Sequence, residues 1–149
     1  NCIFNDDAVN ETALKMTEAD GIILGTPVYY SGIAGTMKSF LDRVFYSKSK
    51  YFRYKVCTAV TAVRRSGGVD TFHQLNNYFN LGEMIIVPSH YWSVIHGRRP
   101  GEVLQDEEGV QTLREVGKSM VWLMKSLESA EGKIEKPVRE ERKWTHFIR

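Results

Sequence analysis

The chain has 149 residues, 42% of them hydrophobic and 26% charged, which suits one globular domain with a real core. Its net charge is +2, and residues 131–149 account for the whole excess, with six Lys/Arg against four Asp/Glu. A charge-balanced body with a mildly basic tail argues against a nucleic-acid-binding domain, which carries a concentrated basic face. Two cysteines, Cys2 and Cys57, without CxxC spacing argue against a disulfide framework or a zinc site. No apolar run approaches the roughly 18 residues that span a bilayer, so no membrane association is expected. No signal peptide is visible, and a cytoplasmic location is the expectation. The chain begins at Asn1 without Met, which suggests part of a longer natural protein.

Asp6 and Asp7 are N-cap candidates, and Val9, Thr12, Ala13 and Met16 recur at helical spacing, so a short helix is expected over 8–17. Ile22, Ile23 and Leu24 form an apolar run between glycines, as in a strand buried on both faces of a parallel sheet. The Pro and Gly of "TPVYYSGIAG" mark a loop. Met37, Phe40, Leu41, Val44 and Phe45 then follow i, i+3, i+4, i+7, i+8, with Lys38, Ser39, Asp42 and Arg43 opposite: an amphipathic helix. "KSKYFRY" is a polar connection, and "KVCTAVTAV" is a second buried strand. "RRSGG" closes it as a loop. Phe72, Leu75 and Phe79 mark a helix that stops near Gly82, and "EMIIVP" is a third strand. Residues 89–101 read as a long loop or hairpin. Asp106 caps a last helix whose stripe is Leu113, Val116, Met120, Leu123 and Leu127. No period is visible after Gly132. The alternation predicts an α/β sheet with helices on both faces and right-handed crossovers.

"GIAGTMKS" at 32–39 comes one residue short of a phosphate-binding P-loop, G-x-x-x-x-G-K-[ST]. Met37 occupies the position where that loop needs bare backbone. The strand ends at Gly25, seven residues before Gly32, whereas a P-loop glycine follows its strand directly. Met37 also opens the apolar helical stripe. These residues therefore read as loop and helix, with Lys38 solvated. No G-x-S-x-G elbow or H-E-x-x-H pair occurs, and His73, His90, His96 and His146 are scattered.

The run "ADGIILGTPVYYSGIAGTMKSFLDR", residues 19–43, closely resembles the flavin-binding segment of the flavodoxin-like NAD(P)H-dependent FMN reductases and their iron–sulfur flavoprotein relatives. "AVRRSGGVDTFHQL" is similar to that family's second Gly-rich loop, and "DEEGVQTLREVGKSM" to its last helix. Together these matches cover most of residues 1–128. The resemblance implies a flavodoxin-like three-layer sandwich with a parallel sheet, apparently lacking the first β-α-β portion and the phosphate-cradling loop it carries. It implies FMN as cofactor and NAD(P)H as co-substrate, with electrons passed to a flavin, a quinone or an iron centre. No catalytic side chain is expected, because the cofactor does the chemistry. The family's cysteine cluster has one counterpart here, Cys2; one cysteine holds no cluster, and no metal site is expected.

The flat isoalloxazine ring needs aromatic or apolar walls and a few backbone donors, beyond the carboxyl ends of the strands. Thr26, Pro27, Val28, Tyr29 and Tyr30 stand there, with Tyr29 and Tyr30 simply covering the strand end as the alternative. Pro27 stiffens the loop and Thr26 offers a hydroxyl and an N–H. Gly67 and Gly68 allow close approach to the pyrimidine edge, with a plain strand-to-helix turn as the alternative. Arg65, or Arg64, is placed to stabilise charge on the reduced ring, against a solvated role. Arg98 and Arg99 read as solvated loop residues, with a contact to the 2′-phosphate of NADPH as the alternative. Tyr91 and Trp92 suit a flavin edge, a subunit interface or the core. Cys57, within a strand, reads as inert. The body, 1–130, is the expected FMN-binding domain. The tail, 131–149, with Trp144, Phe147 and Ile148, is a candidate intersubunit contact in a homodimer or homotetramer. Two competing readings are an electron carrier that uses no nicotinamide and a flavin-free interaction module.

Overall fold

The computed structural model describes residues 1–147. Its centre is β3 (Val56–Val63), whose small and β-branched side chains are buried on both sides apart from Val60 and Ala62. β1 (Gly21–Tyr29) runs parallel to it in register from Gly21↔Val56 to Pro27↔Ala62. Along the opposite side of β3 lie β4 (Ile85–Ile86), paired at Val56 and Cys57, and β5 (Val94–His96), paired at 61–63, both parallel. A two-residue strand, β2 (Gly32–Ile33), folds back antiparallel onto Val28 and Tyr29.

Helices α1 (Val9–Glu18), α2 (Gly35–Lys48) and α3 (Gly68–Leu81) cover one face of the sheet. Their core joins Ala13, Leu41, Val44 and Phe45, Leu75 and Phe79 to Ile22, Leu24, Cys57 and Ala59, with Phe52 closing it. α4 (Glu107–Ala130) covers the other face through Val116 and Met120 against Val56 and Val87. This is the expected three-layer α/β arrangement with a mostly parallel sheet.

Local signals hold for the helices. Asp106 accepts a hydrogen bond from Gly109 N–H at 2.9 Å, as an N-cap does. Met37 and Phe40 are half-buried and pack on the core beside fully buried Leu41, Val44 and Phe45. Lys38 lies on the solvated face, paired with Asp42 at 2.7 Å. α1 starts at Val9, one residue later than the spacing predicts, and Asp7 accepts from Val9 N–H at 3.0 Å. On α4 the buried stripe is Gly109, Thr112, Val116 and Met120. Leu113 and Leu123 are half-buried and Leu127 is 39% exposed, so the stripe is shifted by one residue at its start.

The strands depart further. β1 continues through Thr26–Tyr29, where Pro and Gly predict a loop. An edge strand tolerates proline, which lacks one ladder donor, and outward of β1 no strand pairs with 21–27 among the described residues. Nor is β1 buried on both faces. Ile22, Leu24 and Thr26 face the core, while Ile23 is 61% exposed, because α4 reaches only as far as Gly21, where Met120 and Met124 pack. β4 is two residues long rather than the six of "EMIIVP". The chain leaves the sheet after Ile86 and returns as β5 inside the expected loop. Residues 131–147 form no helix or strand and are exposed; Arg139 pairs with Glu83. Ile148 lies outside the described residues.

Candidate functional site

The link from β1 to β2 is a two-residue hairpin turn at Tyr30 and Ser31, with φ of 50° and 57°. Two positive φ values are the signature of a type I′ turn, which normally takes Asn-Gly. Tyrosine and serine there cost roughly 1 kcal/mol each in backbone strain. The surroundings hold the turn in place. Gln74 Nε2 donates to Ser31 O at 3.1 Å, and Ile33 N–H donates to Gln74 Oε1 at 3.3 Å. Thr26 Oγ1 accepts from Ala34 N–H at 3.2 Å and donates to Pro27 O at 3.0 Å. The Thr26 hydroxyl is thus buried and committed to fixing the loop, leaving its neighbours to face outward. Val28 is half-buried, Pro27 is exposed, Tyr29 is 62% exposed and Tyr30 projects fully into solvent. Strained backbone carrying two uncovered tyrosines at a strand's carboxyl end is a hallmark of ligand-facing loops.

The second loop arrives from β3. Gly67 has φ +87°, and a Cβ there would lie 2.6 Å from Ser31 Oγ and 2.9 Å from Ser31 Cα. The two loops expected from the sequence therefore touch, Gly67 against Ser31. Gly68 is buried as the first residue of α3; its Cβ would meet Val94 Cγ1 at 2.5 Å, so its small size serves packing against β5. Beside this loop opens a cleft of about 290 Å³ bordered by Arg65, Gly67, Tyr91, Trp92, His96 and Asp106. Residues 26–30 lie outside its lining. Arg65 is exposed and has no ion-pair partner among the described residues. Tyr91 and Trp92 pack edge-to-face, ring centroids 4.9 Å apart, and stay largely exposed, which excludes a core role.

Sequence reasoning missed the polar end of this cleft. Asp106 Oδ2 accepts from His96 N–H at 2.7 Å and sits 3.0 Å from His96 Nδ1. The Gly109 N–H, and then His96, hold the Asp106 carboxyl below the usual carboxylate range. The cap was legible, but the histidine beside it depends on where β5 forms. Ser31 and Gln74 carried no signal either, since a glutamine on a helix surface is unremarked until the turn it clamps is known.

The two thiols differ. Cys57 is buried in β3, and burial pushes its pKa up to about 12. Cys2 is half-buried; Arg43 Nε donates to its Sγ at 3.2 Å and holds the thiol below its ordinary value. Arg43 also pairs with Asp7. Iodoacetamide at neutral pH is therefore expected to alkylate Cys2 and spare Cys57 in the folded protein, read by peptide mass spectrometry. Equal labelling would contradict the burial of Cys57.

No helix among the described residues is long and apolar enough to cross a membrane. An iron–sulfur flavoprotein of Methanocaldococcus jannaschii is 37% identical over 127 residues, 80% of this chain and 66% of that protein. The chain thus spans just under two thirds of that relative's length. Cys2 and Cys57 are both free thiols, and no group of three His, Cys, Asp or Glu among the described residues is placed to hold a metal. Among solved structures, the Trp repressor binding protein of Bacillus subtilis superposes with a TM-score of 0.65 at 18% identity, over 72% of this chain and 74% of that one. RosB, with a bound riboflavin-phosphate derivative, gives 0.67 at 15% identity, over 97% and 68%. The fold is flavodoxin-like. A family model described as NADPH-dependent FMN reductase matches residues 1–98, and the chain belongs to that family.

Proposed function

We propose that the protein is a flavin-dependent oxidoreductase that binds FMN where the Tyr29–Ser31 turn meets the Gly67 loop. The observation that carries this is the contact of two loops, Gly67 against Ser31, at the carboxyl ends of adjacent parallel strands, where open α/β sheets take their ligands. The residues fit the group. Tyr29 and Tyr30 offer uncovered aromatic surface to wall a flat ring and shed water from it. Pro27 and Val28 stiffen the approach, and buried Thr26 fixes the loop from beneath. The left-handed Gly67, with Gly68, lets backbone stand close to a ring edge. Arg65, which has no ion-pair partner among the described residues, is the nearby cation for charge gathering there. FMN supplies the electron-transfer chemistry when bound, so these side chains bind and orient and none need exchange a proton. NAD(P)H serves as hydride donor and a flavin, quinone or iron centre as acceptor. Residues 1–130 are the binding domain, and 131–149 contact another subunit of a homodimer or homotetramer in the cytoplasm.

The test is the visible spectrum of the natural full-length polypeptide, with FMN and then with NADPH under anaerobic conditions. A bound flavin spectrum that bleaches on NADPH supports the proposal. Bound flavin that NADPH leaves unchanged indicates an electron carrier. A colourless protein that takes up no FMN overturns the reading.

The turn supplies a second test. Tyr30→Asn with Ser31→Gly installs the residues a type I′ turn prefers. Stability is expected to rise by about 1 kcal/mol, measured by urea unfolding, while FMN affinity falls because a ring wall is lost. Unchanged FMN affinity would remove Tyr30 from the site.

A further inference from the structure

β4 and β5 lie along the same side of β3, and the chain swings out of the sheet between them. Val87 N–H still donates to Cys57 O at 2.9 Å, and Thr61 N–H donates to Ser93 O at 3.0 Å, so the excursion is confined to residues 88–92. Ser89 Oγ donates to Thr112 O at 2.9 Å, and His90 Nε2 stands 3.3 Å from Thr112 Oγ1. These contacts tie the excursion to α4, while α3 lies on the opposite face of the sheet. Between α3 and the excursion a cavity of about 500 Å³ is left, lined by Phe72, Asn76, Ile86, Val87, Pro88 and Trp92 among others. That volume is within the range of small-molecule sites.

Its chemistry differs from that of the flavin cleft. No Asp, Glu, Lys or Arg lines it, whereas Arg65, Asp70, Asp106 and Glu108 border the cleft beside Gly67. A charged ligand would lose hydration in the cavity without compensation, so a neutral one is favoured. The rings of Phe72, Tyr91 and Trp92 suit a flat aromatic guest. Asn76 sets the polar demand. Its Oδ1 is buried and meets no donor among the described residues. Arg53 Nε is the other buried side-chain polar atom there without a hydrogen bond, but Glu83 Oε2 lies 2.8 Å from it. A buried carbonyl without a donor is destabilising, and a ligand N–H or O–H relieves it. Asn76 stands four residues after Phe72 on α3, so both side chains project to the same side. The asparagine carboxamide turns about χ2 at little cost, which lets Oδ1 meet a donor inside the cavity.

We propose that this cavity is a second ligand site, taking a neutral aromatic molecule whose ring N–H or O–H donates to Asn76 Oδ1. Tyr91 and Trp92 border both this cavity and the flavin cleft, but Asn76 and Phe72 belong to this one alone. The site does not rest on the flavin reading.

Indole and benzofuran, nearly equal in shape and differing in the ring N–H, are the probes. By ligand-observed NMR titration of the natural full-length polypeptide, indole is expected to bind roughly tenfold more tightly than benzofuran. Asn76→Leu, which keeps the volume and removes the acceptor, should make the two bind equally. Asn76→Ala, which adds no bulk, should do the same. Because Asn76 does not border the flavin cleft, loss of the preference places the ring in this cavity. Binding of neither probe, equal binding of both by the parent, or a preference that survives the substitutions overturns the proposal. A polypeptide that takes up no FMN but prefers indole through Asn76 would end the flavin reading and keep this site.

Discussion

Gly67→Ala is expected to destabilise the protein by about 2–4 kcal/mol and to abolish FMN uptake. Two effects combine. A residue with a side chain at φ +87° pays roughly 1 kcal/mol for the left-handed backbone. The new Cβ would also stand 2.6 Å from Ser31 Oγ and 2.9 Å from Ser31 Cα, and the second is backbone that no rotamer change removes. The Tyr30–Ser31 turn is itself strained and clamped by Gln74, so relief requires the two loops to part. Gly101 provides the control. Its φ is +83°, and nothing lies within 4 Å of its Cβ position. Gly101→Ala should therefore show the backbone cost alone, about 1 kcal/mol. Urea unfolding of the two variants separates the terms. Equal losses would mean that the contact with Ser31 carries no weight. Adding Ser31→Gly to Gly67→Ala should restore part of the stability by removing the hydroxymethyl group.

Asp106→Ala is expected to cost about 2 kcal/mol at neutral pH, since it deletes the N-cap of the longest helix and the acceptor that ties β5 to it. The pH dependence follows from the carboxyl's lowered pKa. A carboxyl more acidic in the folded than in the unfolded chain contributes fully above its unfolded value of about 3.9. That contribution disappears as pH falls through the folded value. Thermal unfolding should show parent and variant well separated at pH 7 and converging in acid, once the lowered carboxyl of the folded state takes up its proton. A gap that persists in acid would assign the loss to packing instead of charge. Asp106→Asn, which keeps an acceptor for Gly109 N–H, should recover part of the difference.

What could be read in advance was what is local. The stripe of α2, the cap at Asp106 and the double glycine at 67–68 are each encoded within a few neighbouring residues, and each appears in the fold. Gly25 and Pro27 look like loop punctuation, yet the parallel pairing of β1 with β3 runs through both, which no local pattern announces. β5 is three residues without a period, defined by its pairing with β3. The details of the candidate site are long-range. Gln74 reaches Ser31 across 43 positions and Ile33 across 41, and no local pattern forecasts such a clamp. The strain at Tyr30 was hidden for the same reason, since it exists only once β2 folds back.

The outer side of β1 has a colloidal consequence. From Gly21 to Pro27 its peptide groups facing away from β3 meet no strand among the described residues. The segment carries no charged residue, and Ile23 is exposed on the sheet face beside it. Proteins usually blunt such an edge with lysine, a bulge or a cover. Among the described residues Pro27 is the one blunting feature on this segment, and it stands at one end. A polypeptide of residues 1–149 alone can therefore pair with a second copy along that line, and its loss of soluble material is expected to grow with the square of its concentration.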